Sequence, residues 1–223
     1  MSDNEKTNNP QDTEIASLRR PASGQTLERE ALADDPVLQF EAWLRDACDA
    51  ESLDPNAMSV ATVDADGRPD TRTVLLKFYD PSGFVFFTNF ASAKAVQIES
   101  NHNVALLFFW PSLGRQVRIR GTAAKIPTSE TLKYFATRPR GSQIGAWVSA
   151  QSSIISSRSL LEAKYAEIKQ KFSDGEIPLP SFWGGYRVTA ADIEFWQSRT
   201  NRLHDRFLYT RTATGWNVER LAP

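Results

Sequence analysis

The stretch from Met58 to Lys125 constrains the fold most, because it breaks into short runs that only a multi-stranded sheet can use. Residues 58–63, 71–78, 84–88, 104–110 and 115–125 are rich in β-branched or aromatic side chains, which suit a pleated, half-buried surface. Turn signals such as Asp66-Gly67 and Pro81-Ser82-Gly83 stand between several of these runs, so neighbouring runs read as strands joined by short turns. Further strands are predicted near 186–188, 193–197 and 206–209, with a last short one over 216–221. Many strands with helices set around them predict a mainly β, α+β fold built on a small antiparallel barrel.

The helices have their own signals. Asp35-Pro36 joins a capping side chain to a proline suited to a first helical turn. Val37, Phe40, Leu44 and Cys48 follow at helical spacing, with Trp43 widening the stripe, and predict a helix to about residue 50. A short helix is expected over 92–100, and longer ones over 129–137 and 157–172, the last with Leu161, Tyr165, Ile168 and Phe172 on one stripe. Residues 175–185 form a connection punctuated by proline and glycine. Residues 1–34 are polar and poor in large apolar groups, which predicts a mobile leader, disordered or only partly ordered. Its Arg19 and Arg20 fit either a cover for an anionic site or a solvated charge pair. Residues 35–223 are then expected to form a single domain.

With 223 residues, 41% of them hydrophobic, the chain can bury a sizeable core. Its 26 basic and 27 acidic residues nearly cancel, so no overall field favours nucleic acid or an anionic membrane as partner. Any bound anion must be held by a local cluster. Cys48 alone cannot form an internal disulfide, and two histidines, His102 and His204, are too few for the usual His/Cys metal sites. No metal site is expected, although a carboxylate-bound metal stays open. No run approaches ~18 consecutive apolar residues, and the N-terminus lacks the basic start and apolar stretch of a secretory signal. A cytoplasmic location follows as the expectation.

Five constellations could carry chemistry. In the run Arg72-Thr73-Val74-Leu75-Leu76-Lys77, strand alternation sends Arg72 and Lys77 to opposite sides unless the strand bends. They would serve different groups, or lie in water as strand-end cations. Thr88 to Lys94 leads into a helix whose start exposes unpaired N–H groups, so a lysine there fits either a bound anion or an exposed surface position. Gln116, Arg118 and Arg120 form a polar row opposite Val117 and Ile119, which reads as the wet face of a sheet or as donors for the edge of a heterocycle. Tyr134, Arg138, Arg140 and Ser142 bring phosphate donors to a helix end, where cations also complement the macrodipole. Gln151, Ser152 and Ser153 follow as a further set of donors or as a cap. Lastly, Arg202, His204 and Arg206 share one face if extended, near Trp196, and the arginines would disfavour protonation of the imidazole.

Taken in order, these segments resemble the pyridoxine/pyridoxamine 5′-phosphate oxidases, FMN-binding split-barrel enzymes of vitamin B6 metabolism. The markers are RTVLLK (72–77), TRPRGSQIGAWVSAQSS (137–153), PLPSFWGGYRV (178–188), IEFWQ (193–197) and RLHDRFLY (202–209). The resemblance implies a homodimer around FMN that oxidises pyridoxine 5′-phosphate or pyridoxamine 5′-phosphate to pyridoxal 5′-phosphate with O2. It implies FMN contacts from the run 72–77, from Phe87, Thr88, Lys94, Gln116, Gln151, Ser152, Trp196 and Arg206, partly across the dimer. It assigns the substrate phosphate to Lys77, Tyr134, Arg138 and Ser142, and the pyridine ring to Arg202 and His204, which would align it for chemistry. Ala93 departs from the family pattern, which has a basic residue just before the lysine. Two other functions compete: a split-barrel flavin oxidase of another ring, such as a phenazine precursor, and a non-catalytic carrier of FMN or pyridoxal phosphate.

Overall fold

The computed structural model describes residues 24–50, 53–148 and 151–223. Its first helix, α1 (Pro36–Ala50), starts where the Asp35 carboxylate accepts the Val37 N–H at 2.8 Å. Val37, Phe40, Trp43 and Ala47 are its buried face, so the stripe runs one residue short of the predicted Leu44 and Cys48 positions. Phe40 meets Tyr79, Phe84 and Phe108 edge-on at 4.9–5.2 Å and anchors the helix against the sheet.

That sheet contains β1 (Ala57–Val63), β2 (Pro69–Leu75), β3 (Phe78–Asp80), β4 (Gly83–Asn89), β5 (Asn103–Trp110), β6 (Arg115–Lys125), β7 (Trp183–Gln197), β8 (Asp205–Arg211) and β9 (Trp216–Leu221). The order is β2-β1-β5-β6-β7-β4-β3, with β8 also on β7 and β9 on β8. All pairs are antiparallel. Helices α2 (Ala93–Ser100), α3 (Thr128–Thr137), α4 (Arg140–Val148) and α5 (Arg158–Lys171) surround this curled sheet, as the α+β split-barrel expectation requires.

Three differences from the sequence reading shape the site. The run predicted as one strand over 71–78 breaks at Leu76 and Lys77, whose N–H groups bond Asn56 O and Val85 O instead. The strands predicted at 186–188 and 193–197 are one strand, β7, which pairs with β4 through its first half and β8 through its second. The gap left between those two predictions holds a bulge opposite Gly121, since Gly121 pairs with Ala190 and Arg120 with Asp192. A Cβ on Gly121 would stand 2.0 Å from Thr189 O, so only glycine lets the strands approach there. Finally, 140–148 is a helix that the sequence reading did not predict; Pro139 O accepts the first-turn N–H of Ser142.

The polar segment before Asp35 is packed from residue 27 onward. Leu27 and Leu32 are buried, Asp205 accepts the Leu27 N–H at 3.1 Å, and the Tyr209 hydroxyl donates to Ala33 O. Two leucines thus tie down a stretch whose composition resembles a leader. Arg19 and Arg20 lie outside the described residues. A second, smaller core gathers Phe135, Ile144, Val148, Ile168, Ile177 and Trp183 beneath α3, α4 and α5. No helix among the described residues is long and apolar enough to cross a membrane, and they contain no His/Cys/Asp/Glu group able to hold a metal.

Candidate active site

Between β2, the start of α2, the end of α3 and the 151–152 corner lies a cavity of about 570 Å³. Asp70, Thr71, Arg72, Thr73, Val74, Leu75 and Lys77 form one wall; Phe87, Thr88, Ala93 and Lys94 form another; Tyr134, Arg138, Gln151, Ser152 and Trp183 complete it. The break after Leu75 decides this arrangement. A continuous strand would separate Arg72 from Lys77, whereas the bend brings both to the same cavity.

Its charge is strongly one-sided. Arg72, Lys77, Lys94 and Arg138 line it against a single carboxylate, Asp70. Lys94 is 6% exposed, and its Nζ donates to the hydroxyls of Thr88 at 3.2 Å and Ser92 at 3.4 Å. Burial holds this ammonium below the ordinary lysine range, and nearby Arg72 adds to the effect. Ser92 precedes α2 but makes no side-chain cap; the Ala93 N–H is taken by Ser152 Oγ at 3.2 Å. Ser152 holds a left-handed φ of 72° to reach it. Gln151 Oε1 accepts from Thr88 Oγ1 at 3.0 Å and from the Asn89 N–H at 3.3 Å.

Opposite this corner, Arg138 lies over Trp183 at 4.5 Å, with its NH1 buried and without a hydrogen-bond partner. Burial depresses its proton affinity. Tyr134 stacks on Phe87 at 4.2 Å, and Phe87 on Trp183 at 5.1 Å, so an aromatic stack walls the cavity beside the guanidinium. Buried cations lacking carboxylate partners are costly unless an anion compensates them. The donor set therefore fits phosphate, and its spread over two walls fits more than one.

The remaining predicted residues sit elsewhere. Gln116, Trp196 and Arg206 are paired across β6, β7 and β8 and form a half-buried row outside the cavity lining. Arg206 Nε donates to Glu194 at 2.7 Å, and Arg118 NH2 reaches the same carboxylate at 2.5 Å. The expected extended face of Arg202, His204 and Arg206 does not form. Thr200–Arg202 is a tight 3₁₀ turn with Asn201 and Arg202 at φ 55° and 62°, and β8 begins only at Asp205. His204 instead packs on Trp196 at 4.4 Å, and its Nδ1 accepts the Arg199 N–H at 3.1 Å. Ser142 is exposed on α4 and does not line the cavity. Arg140 turns away to bond the carbonyls of Phe172 and Gly175. Trp183 and Asp70 enter the lining unannounced by the sequence reading; the tryptophan of FWGG was the available signal for the first.

Comparison with known proteins decides the family. The family model described as "Pyridoxamine 5'-phosphate oxidase" matches residues 44–172. The chain belongs to that family. A second model, "Pyridoxine 5'-phosphate oxidase C-terminal dimerisation region", matches residues 183–223. The pyridoxine/pyridoxamine 5′-phosphate oxidase of Crocosphaera subtropica is 59% identical over 213 residues, covering 94% of this chain and 100% of the relative. That of Escherichia fergusonii is 56% identical over 223 residues, covering 100% of both. Among solved structures, PhzG from Burkholderia lata, in complex with tetrahydrophenazine-1-carboxylic acid, superposes with a TM-score of 0.84 at 28% identity, covering 90% of this chain and 100% of that one. Arg72, Lys94, Gln151 and Ser152 thus line one cavity, and Gln116, Trp196 and Arg206 form a separate row across β6, β7 and β8.

Proposed function

We propose that this chain is a homodimeric, FMN-dependent oxidase that converts pyridoxine 5′-phosphate and pyridoxamine 5′-phosphate to pyridoxal 5′-phosphate, reducing O2 to H2O2. The observation that carries the reading is the cavity with four cations and one carboxylate, which suits two phosphates rather than one. Arg72 and Lys94, with Thr88, Gln151 and Ser152, take the FMN phosphate. Lys77, Tyr134 and Arg138 take the substrate phosphate, and Ser142 joins them on family grounds alone. FMN, when bound, would supply the redox chemistry, a two-electron oxidation of the substrate with O2 as the final acceptor.

The protein's part is orientation. The planar fork of Arg138 and the point charge of Lys77 hold the substrate at its phosphate, while the Phe87–Tyr134 stack gives a flat, dry wall beside it. Gln116, Trp196 and Arg206 hold the flavin from the dimer partner's side, which is why the row stands apart from the cavity within one chain. Glu194 braces Arg206 for this role. Arg202 and His204 cover the pyridine ring and align it. The family's C-terminal dimerisation region, residues 183–223, includes Trp196, Arg206 and the 200–202 turn and supports the homodimer. A cytoplasmic location goes with the reading, and an exposed lone Cys48 suits a reducing compartment.

His204 acts in its neutral form. Burial, then Arg202, lowers its pKa from 6.5, and the bond from Arg199 to Nδ1 leaves the proton on Nε2 as an outward donor. Alignment of the ring is therefore expected to fail as pH falls through this lowered value. Nitrogen NMR of the imidazole should show the Nε2–H tautomer and a midpoint below 6.5; a midpoint above it contradicts the assigned role.

Oxygen uptake tests the function. Pyridoxine 5′-phosphate should be turned over with a KM at least about 100-fold below that of unphosphorylated pyridoxine, the value of two charge-assisted contacts. Equal use of both would remove the phosphate from the recognition scheme.

A further inference from the structure

Arg72 is engaged by the chain's own groups. Its NH1 donates to Thr62 Oγ1 at 2.6 Å and Val60 O at 3.1 Å, and its NH2 to Asp70 Oδ2 at 2.5 Å and Gln97 Oε1 at 3.1 Å. A guanidinium has five N–H groups, so these bonds occupy the four on its terminal nitrogens. A phosphate oxygen can take one of those only if a present acceptor yields.

The four acceptors differ in their freedom to do so. Val60 and Thr62 are buried on β1, at 0% and 1% exposure, and cannot move away. Gln97 is tied to Thr62 Oγ1 at 2.5 Å. The Asp70 side chain is 47% exposed, lines the cavity and is held otherwise by Gln97 Nε2 at 3.2 Å. It is also the one acceptor that is itself an oxyanion, with the geometry that an arginine fork shares between carboxylate and phosphate.

We propose that Asp70 is an internal competitor for the anion site: its carboxylate occupies the Arg72 edge that a ligand phosphate needs, and so sets the affinity of the pocket. Gln97 holds the competitor in place. Ala93 sharpens the effect, because its position adds no second side-chain cation beside Lys94 and its N–H is already taken by Ser152 Oγ. The inference rests on the assignment of this pocket to the FMN phosphate.

The test is flavin titration of the full chain stripped of cofactor, as wild type and as Asp70→Asn, with FMN and with riboflavin. The variant should bind FMN about tenfold more tightly, the scale of one charge-assisted contact, with riboflavin unchanged within about twofold. Weaker or unchanged FMN binding would overturn the proposal, the former by making Asp70 a brace for Arg72 rather than its rival. An equal shift for both flavins would overturn it as well. If neither protein binds FMN, the cofactor assignment has failed separately. Inorganic pyrophosphate titrated by calorimetry then decides: tighter binding by Asp70→Asn supports the competition, and no difference rejects it.

Discussion

Replacing Arg138 with leucine is expected to raise KM for pyridoxine 5′-phosphate by about 10²–10³-fold while leaving the melting temperature unchanged or higher. The two effects come from one fact. Arg138 is half-buried over Trp183 with NH1 lacking any hydrogen-bond partner, so only its contact with the ring faces offsets its desolvation. A substrate phosphate supplies the missing acceptor and the opposite charge together. Removing the guanidinium forfeits both, at roughly 1.5–3 kcal/mol for each charge-assisted bond. Leucine keeps an apolar contact with Trp183 and relieves the buried charge. Steady-state kinetics beside a thermal melt checks this; a variant that melts much lower would make Arg138 a structural residue.

Lys94→Met is expected to weaken FMN binding by about 100-fold and to stabilise the cofactor-free protein. Its ammonium is nearly buried and held by two hydroxyls, which solvate a charge without neutralising it. Because its pKa is lowered, the folded protein binds its proton less tightly than the unfolded chain does. Cofactor-free stability should therefore rise with pH between the lowered value and the ordinary 10.5. FMN affinity should move the other way, declining as pH climbs through the lowered value. Methionine should abolish this alkaline dependence. Flavin titrations from neutral to alkaline pH measure it, and an unchanged profile in Lys94→Met would reassign the dependence to another group.

Much of the sheet was legible because alternation and turns agree locally. β1, β5 and β6 fall within a residue of their predicted bounds, since their buried faces alternate with wetter ones and Asp66-Gly67 marks a real turn. What was hidden depends on distant partners. Nothing local in Leu75-Leu76-Lys77 announces a break; it arises because Asn56 and Val85 capture the two N–H groups. The continuity of β7 depends on β6 accepting a bulge at Gly121. The tight turn at Asn201 and Arg202 keeps Arg202, His204 and Arg206 off the shared face they would have if extended.

The site shows the same division. Arg72, Lys77, Thr88, Lys94, Tyr134, Arg138, Gln151 and Ser152 do meet in one cavity, although spacing alone left each open to a bland explanation. Residue types named the chemistry, and only the fold could name the company they keep. Asp70 and Gln97 escaped notice because what sets them apart is their contact with Arg72, a relation between strand, helix and cavity that no single segment displays.

The central claim is that this pocket sets a phosphorylated B6 vitamer against a flavin. The most direct measurement is the visible spectrum of FMN-saturated protein mixed with pyridoxine 5′-phosphate without oxygen. The account predicts that the flavin colour bleaches and returns with hydrogen peroxide when air is admitted. Colour that persists with both pyridoxine and pyridoxamine phosphates would contradict it.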